Sequence, residues 1–276
     1  MKLIPRLLIV AVLLLIVAVI NQSCKHDAIP GPTTLRLWEE IPMKAAYEVP
    51  APAGRLEEGD ATIELLSDNS LKYTFHIHNL SPSDALTAAH IHVGNAGTSG
   101  DVLVNFSPTF IGSGATGVVT GLRAGQVDSL LNQPIYINVH SNQLASGVVR
   151  GQLDKKIEFA MDILMNGANE APTPVSTTAN GKAILRLTDD KVLYSKVTVD
   201  NVETDDTLTV AHIHRGAVGV AGPVRITLCS GLADFGVLKV SDPLPDSLVN
   251  MVRNDPTYVN AHSKLHGPGI VRGQIR

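Results

Sequence analysis

The sequence predicts an all-β protein made of two tandem antiparallel β-sandwich domains. Three observations carry that prediction. Runs of about four to eight residues rich in Val, Ile, Thr and Tyr recur along the chain, with Gly, Pro, Asn, Asp or Ser clusters between them. No long segment has helical periodicity. The second half repeats the first: Ala89-His90-Ile91-His92 returns as Ala211-His212-Ile213-His214, an offset of 212 − 90 = 122 residues. The offset holds from Met43/Met165 to Leu153/Ile275 without insertion or deletion. A unit of that length is a domain, not a short solenoid repeat of about 20–50 residues.

In the first copy the strand candidates are 61–66, 71–78, 88–93, 102–106, 135–140 and 147–153. The second copy gives 183–187, 192–199, 210–215, 224–228, 257–262 and 269–275. Helix is expected only in two short pieces, 126–131 and 246–253, each just before a proline and a strand. Many short strands with turn signals between them read as a sandwich or barrel. The domains are expected at 39–154 and 155–276, preceded by a linker at 25–38 containing Pro30 and Pro32.

The first 24 residues read as an address. Lys2 and Arg6 precede an unbroken apolar run, Leu7 to Ile20, shorter than the roughly 20 residues a spanning helix needs. Asn21-Gln22-Ser23-Cys24 follows, with a small residue directly before cysteine. This resembles a bacterial lipoprotein signal, although Asn21 stands where an aliphatic residue is usual. The expectation is an exported chain lipidated at Cys24 and held to the membrane of the bacterial cell envelope by that anchor. An uncleaved N-terminal anchor helix is the alternative.

With Cys24 used in this way only Cys229 remains, so no intrachain disulfide is expected and each domain must rely on its core. Cys229 ends an apolar strand and reads as an inert buried thiol. A net charge of −4 without a basic block argues against a nucleic-acid partner. Aromatics are 4% of the chain, with a single Trp38, which offers little to a carbohydrate surface.

Each copy runs Glu-x-Pro-x-Pro (Glu48 to Pro52, Glu170 to Pro174), then a glycine (Gly59, Gly181). It continues His-Ile-His-x-Gly-x-x-Gly-x-x-Gly (His90 to Gly100, His212 to Gly222) and Tyr-x-Asn-x-His-Ser (Tyr136 to Ser141, Tyr258 to Ser263), and closes on Arg-Gly-Gln. This ordered set resembles the CHRD domain, named for chordin and widespread in exported bacterial proteins. The resemblance implies a β-sandwich likened to the Cu/Zn superoxide dismutase fold, with no established bacterial activity. One departure is plain. Val148 and Ile270 stand where family members often carry a glutamate close to the closing arginine.

Residues two apart on a strand share a face, so His90 and His92 project together, as do Asn138 and His140. If the two strands are neighbours, His90, His92 and His140 form a set, repeated as His212, His214 and His262. Three imidazoles without a thiolate or nearby carboxylate suit Cu or Zn, with one position open for water or a ligand. The competing reading is a structural network in which the histidines hydrogen-bond loop carbonyls or Arg150 and Arg272, with Asn138 and Asn260 as further partners. Repetition alone leaves both open, because a duplicated fold keeps its scaffold as well as its sites.

His76 and His78 share the His-x-His spacing, but their counterparts are Thr198 and Asp200, so they read as an exposed strand face. His266 aligns with Leu144 and reads as a loop residue. Gly94, Gly97 and Gly100 precede a strand rather than a helix and read as turn glycines, not a phosphate loop. Two functions follow. The first is a lipid-anchored, non-catalytic module that binds an envelope or extracellular protein or ligand, with metal binding left open within it. The second is a copper or zinc metalloprotein with dismutase-like redox activity.

Overall fold

The computed structural model describes residues 31–276, so the Cys24 lipidation site and the apolar run lie outside the described residues. Thr34–Arg276 is a single compact unit holding both repeats. The first repeat contains β1 (Thr34–Lys44), β2 (Glu58–Leu66), β3 (Leu71–His78), β4 (Leu86–Val93), β5 (Val102–Asn105) and β6 (Gly114–Val119). Helix α1 (Ala124–Asn132), β7 (Ile135–Ser141) and β8 (Val149–Gln152) complete it. The second contains β9 (Ile157–Asn166), β10 (Asn180–Thr188), β11 (Leu193–Asp200), β12 (Leu208–Arg215), β13 (Val224–Cys229) and β14 (Lys239–Val240). It ends with α2 (Asp246–Asn254), β15 (Thr257–Ser263) and β16 (Val271–Gln274).

The strand orders are β5-β4-β7-β8-β1-β2-β3-β6 and β13-β12-β15-β16-β9-β10-β11-β14, antiparallel throughout. In each repeat the two four-stranded halves are stitched by one residue pair, Lys44 with Arg150 and Asn166 with Arg272. The halves close over a common apolar core, with Ile63 and Phe75 of one half and Ile91, Ile137 and Val149 of the other in one cluster. Strand alternation explains this: β3 reads buried-exposed from Leu71 to His78 without a break. Each fully buried Ile, Leu or Phe contributes about 1.5–3 kcal/mol.

Strand β1 begins at Thr34, inside the stretch expected to be linker, and Trp38 is buried in the first core. The pattern of β1 is obscured by irregularities at Thr34/Arg36 and Trp38/Ile41, so its residues do not alternate in sequence. The repeats meet through a small cluster of Tyr47, Ala96, Ile157, Val192 and Tyr194. Tyr47 Oη donates to the Ile157 carbonyl at 2.8 Å. Arg186, fully buried, donates to the Glu48 carbonyl and, at 2.8 Å, to Asp162 Oδ1. Among the described residues no helix is long and apolar enough to cross a membrane.

Candidate functional site

The register of β4, β7 and β8 explains why polar residues collect here. Across β4 and β7, His90 faces Asn138 and His92 faces Tyr136, while His140 lies opposite Ala88. Across β7 and β8, Asn138 faces Arg150 and Tyr136 faces Gln152. His90, His92, Tyr136, Asn138, His140, Arg150 and Gln152 therefore share one face of three adjacent strands. The intervening Ala89, Ile91, Ile137, Val139 and Val149 point into the core. In the second copy His212 faces Asn260, His214 faces Tyr258 and Asn260 faces Arg272.

The three histidines of each copy come together as the spacing anticipates. In each set one ligating atom per residue lies within 4.8 Å of the others. His90 Nδ1 is 3.0 Å from His140 Nε2, and His212 Nδ1 is 3.3 Å from His262 Nε2. The outer nitrogens are tied to backbone carbonyls: His92 Nδ1 to Gly100 at 2.8 Å and His140 Nδ1 to Ala145 at 2.9 Å. His214 and His262 make the same bonds to Gly222 and Gly267, at 2.9 and 2.8 Å. A carbonyl only accepts, so each of these Nδ1 atoms carries a proton. Burial holds all six rings below the usual histidine pKa, and His90 and His212 fall to about 4 with help from neighbouring rings. A neutral ring with Nδ1 protonated presents a bare Nε2 lone pair. His92 Nε2 and His214 Nε2 are such atoms, buried and without a hydrogen-bond partner among the described residues.

Among the described residues the histidines take the loop-carbonyl partners that the structural reading named, whereas Arg150 and Arg272 bond other groups. Arg150 donates to the carbonyls of Thr98 and Asn95 at 2.7 and 2.6 Å and to Gln152 Oε1 at 3.0 Å. Arg272 does the same with Val220, Ala217 and Gln274. Each arginine thereby pins the glycine-rich loop over the sheet. Its guanidinium lies over a tyrosine ring, 3.5 Å from the Tyr136 centroid and 3.4 Å from that of Tyr258. That ring stacks on the second histidine, at 5.0 Å for His92 and 4.9 Å for His214.

Asn138 and Asn260 belong to a separate buried pair. Asn138 Nδ2 donates to Glu48 Oε1 and Oε2 at 2.9 Å, and Asn260 Nδ2 to Glu170 Oε2 at 2.9 Å. Burial raises both carboxyl groups to about 7, against the pull of the arginines and asparagines. The carboxyl group that acts electrostatically on each closing arginine comes from Glu48 or Glu170 rather than from positions 148 and 270. In the first copy a cleft of about 730 Å³ opens beside this pair, lined in part by Glu48, Pro50, His92, Tyr136 and Asn138.

Tyr136, Tyr258, Gly100 and Gly222 join the site, and their signal was the repeated motif itself. A Cβ on Gly100 would sit 1.6 Å from the Val93 carbonyl oxygen, and one on Gly222 1.7 Å from that of Arg215. The Gly100 N–H meets Tyr136 Oη at 3.1 Å while its carbonyl receives His92. The turn-glycine reading holds, with a further role as acceptor for the histidine. His76 and His78 lie on the exposed face of β3. Cys229 is buried, and its thiol is pushed up to about 11 by desolvation.

No curated protein and no solved structure matches the chain. The CHRD domain model matches twice, over residues 40–153 and 161–275, which together make up most of the sequence. The chain belongs to the CHRD domain family and carries two tandem copies of it.

Proposed function

We propose that this protein is an exported, lipid-anchored, non-catalytic binding module of the bacterial cell envelope, in which each CHRD domain holds one Cu(II) or Zn(II) ion on three imidazoles. The observation that carries the metal reading is the pair of bare, buried Nε2 atoms on His92 and His214. An unsatisfied buried acceptor costs about 1–3 kcal/mol, and the chain keeps one at the same place in both copies. In each, the other ring nitrogen is fixed by a carbonyl, the outer contact that orients metal-binding histidines. The donors would be His90 Nδ1, His92 Nε2 and His140 Nε2, with His212, His214 and His262 in the second copy. Three donors about 2.05 Å from a tetrahedral ion lie roughly 3.4 Å apart, so modest ring rotations close the set.

The ion would offer an open coordination position, and in the first copy a ligand or partner would approach it from the cleft that His92 helps to line. Export and anchoring rest on Cys24 after the apolar run Leu7 to Ile20. The experiment is a Cu(II) titration of the tag-free full-length chain followed by electron paramagnetic resonance. Nitrogen hyperfine structure from imidazole at two equivalents, one lost in His90→Ala and one in His212→Ala, is the expected result. A copper signal indifferent to both substitutions overturns the assignment.

A further inference from the structure

The second copy differs from the first at one corner, where the β11–β12 loop meets the β15–β16 loop. In the first copy two buried carboxylates share a cation: Arg55 Nη2 lies 2.7 Å from Glu57 Oε1 and 2.9 Å from Asp84 Oδ2. At the 122-residue offset, Arg55 becomes Thr177, Glu57 becomes Ala179 and Asp84 becomes Asp206. Ser81 becomes Glu203 and Leu144 becomes His266. The corner again holds two carboxylates, but its guanidinium is gone. Among the described residues neither Glu203 nor Asp206 has a Lys, Arg or His nitrogen within 4.0 Å.

Hydrogen bonds orient both carboxylates from one side. Asp206 is 9% exposed, and its Oδ1 receives the N–H groups of Thr207 and Leu265 at 2.7 and 2.9 Å. Its Oδ2 is buried and receives no N–H group among the described residues. Burial pushes this carboxyl up, and Ser263 with the two N–H groups outweighs it, so the net direction is down. The Ser263 hydroxyl reaches the same carboxyl, as the Ser141 hydroxyl reaches Asp84 Oδ2 in the first copy. Glu203 Oε1 accepts from Thr177 Oγ1 at 2.6 Å, and Glu203 Oε2 is buried and unpartnered among the described residues. One ligating atom each from Glu203, Asp206 and His266 lies within 4.8 Å of the other two.

We infer that Glu203, Asp206 and His266 form a divalent-cation site in the second copy, taking the place that the Arg55 guanidinium fills in the first. Two carboxylate oxygens and one imidazole form a mixed donor set suited to Mn(II) or Zn(II), unlike the all-nitrogen histidine sets. The ion would neutralise the corner and tie the β11–β12 loop to the β15–β16 loop, as Arg55 ties Asp84 to Glu57 and, at 2.9 Å, to Gln143.

Mn(II) titration of the tag-free full-length protein, read by loss of the free-ion resonance, tests the site without relying on the histidine clusters. One bound Mn(II) per chain is expected, displaced by Zn(II). Glu203→Ser and His266→Leu, which install the residues of the first copy, should each weaken binding at least 10-fold with an unchanged circular dichroism spectrum. Thr177→Arg should abolish binding by restoring the guanidinium. Failure of the wild type to bind Mn(II), or a bound ion that persists in Glu203→Ser and Thr177→Arg, overturns the inference.

Discussion

The Arg150 guanidinium lies 3.5 Å from the centroid of the Tyr136 ring, and His92 stacks on the same ring at 5.0 Å. A cation, a phenol and an imidazole thus form one stack, with Arg150 only 1% exposed. The stack links the loop-pinning arginine to the histidine whose inner nitrogen is bare. Arg272, Tyr258 and His214 repeat it.

Removing the arginine takes a donor from each of its acceptors. In Arg150→Met the Thr98 carbonyl and Gln152 Oε1 lose the guanidinium as donor, and the Asn95 carbonyl keeps only the N–H and hydroxyl of Thr98. The expected cost is about 3–5 kcal/mol, the range for breaking a buried charged group's contacts. Urea denaturation checks it, and a loss below about 1 kcal/mol would show that water replaces the guanidinium.

Glycine at position 100 is a steric requirement. Gly100→Ala forces a Cβ against the Val93 carbonyl oxygen and displaces the acceptor of His92 Nδ1. Copper binding by the first copy should fall at least 10-fold while the second copy keeps its ion. Equal binding by both copies in this variant would mean that the Gly100 contact does not orient His92.

Glu48 gives the protein a defined pH dependence. Its folded pKa of about 7 lies above its ordinary value of 4.5. The unfolded chain therefore releases this proton first, and the penalty for a buried carboxylate accrues as pH rises from 4.5 through 7. Glu48→Gln removes the penalty, so its stability relative to wild type should improve between pH 5 and pH 8, by up to about 3 kcal/mol. Denaturation midpoints at the two pH values measure it, and a pH-independent difference would place the carboxyl near its ordinary pKa. His90 and His212, held at about 4 against an ordinary 6.5, act on the acid side: stability is lost as pH falls from 6.5 through 4.

Much of this was legible in the sequence, and the failures have physical causes. The His-x-His strand and the Asn-x-His strand could be placed on shared faces because strand period is fixed at two. Their pairing followed only as a conditional, and the β4–β7 register supplies it. Strand β1 was hidden because its register shifts break the alternation. Strand β6, with Gly114 and Gly117, lies at a sheet edge and has too little apolar content to read as a strand. The Glu48–Asn138 pair spans 90 residues, and no local pattern points across that distance. Arg150 stands out in the sequence, but the two loop groups it pins are backbone carbonyls, which sequence cannot distinguish from one another.

The address rests on sequence and has its own test. Cells expressing the protein and fed a radiolabelled fatty acid should label it, and Cys24→Ala should abolish the label and release the chain from the membrane fraction. Labelling that survives the substitution would contradict lipidation at Cys24.

Zinc stoichiometry reads out directly whether each copy holds one metal ion on three imidazoles. The most direct measurement is the zinc content of the tag-free protein after loading and dialysis, compared with the His90→Ala/His212→Ala double variant. A loss of two zinc atoms per chain is expected, one for each copy, whatever other sites the protein carries. Identical zinc content in the two proteins, with the variant folded but less stable, would assign the histidines to the scaffold.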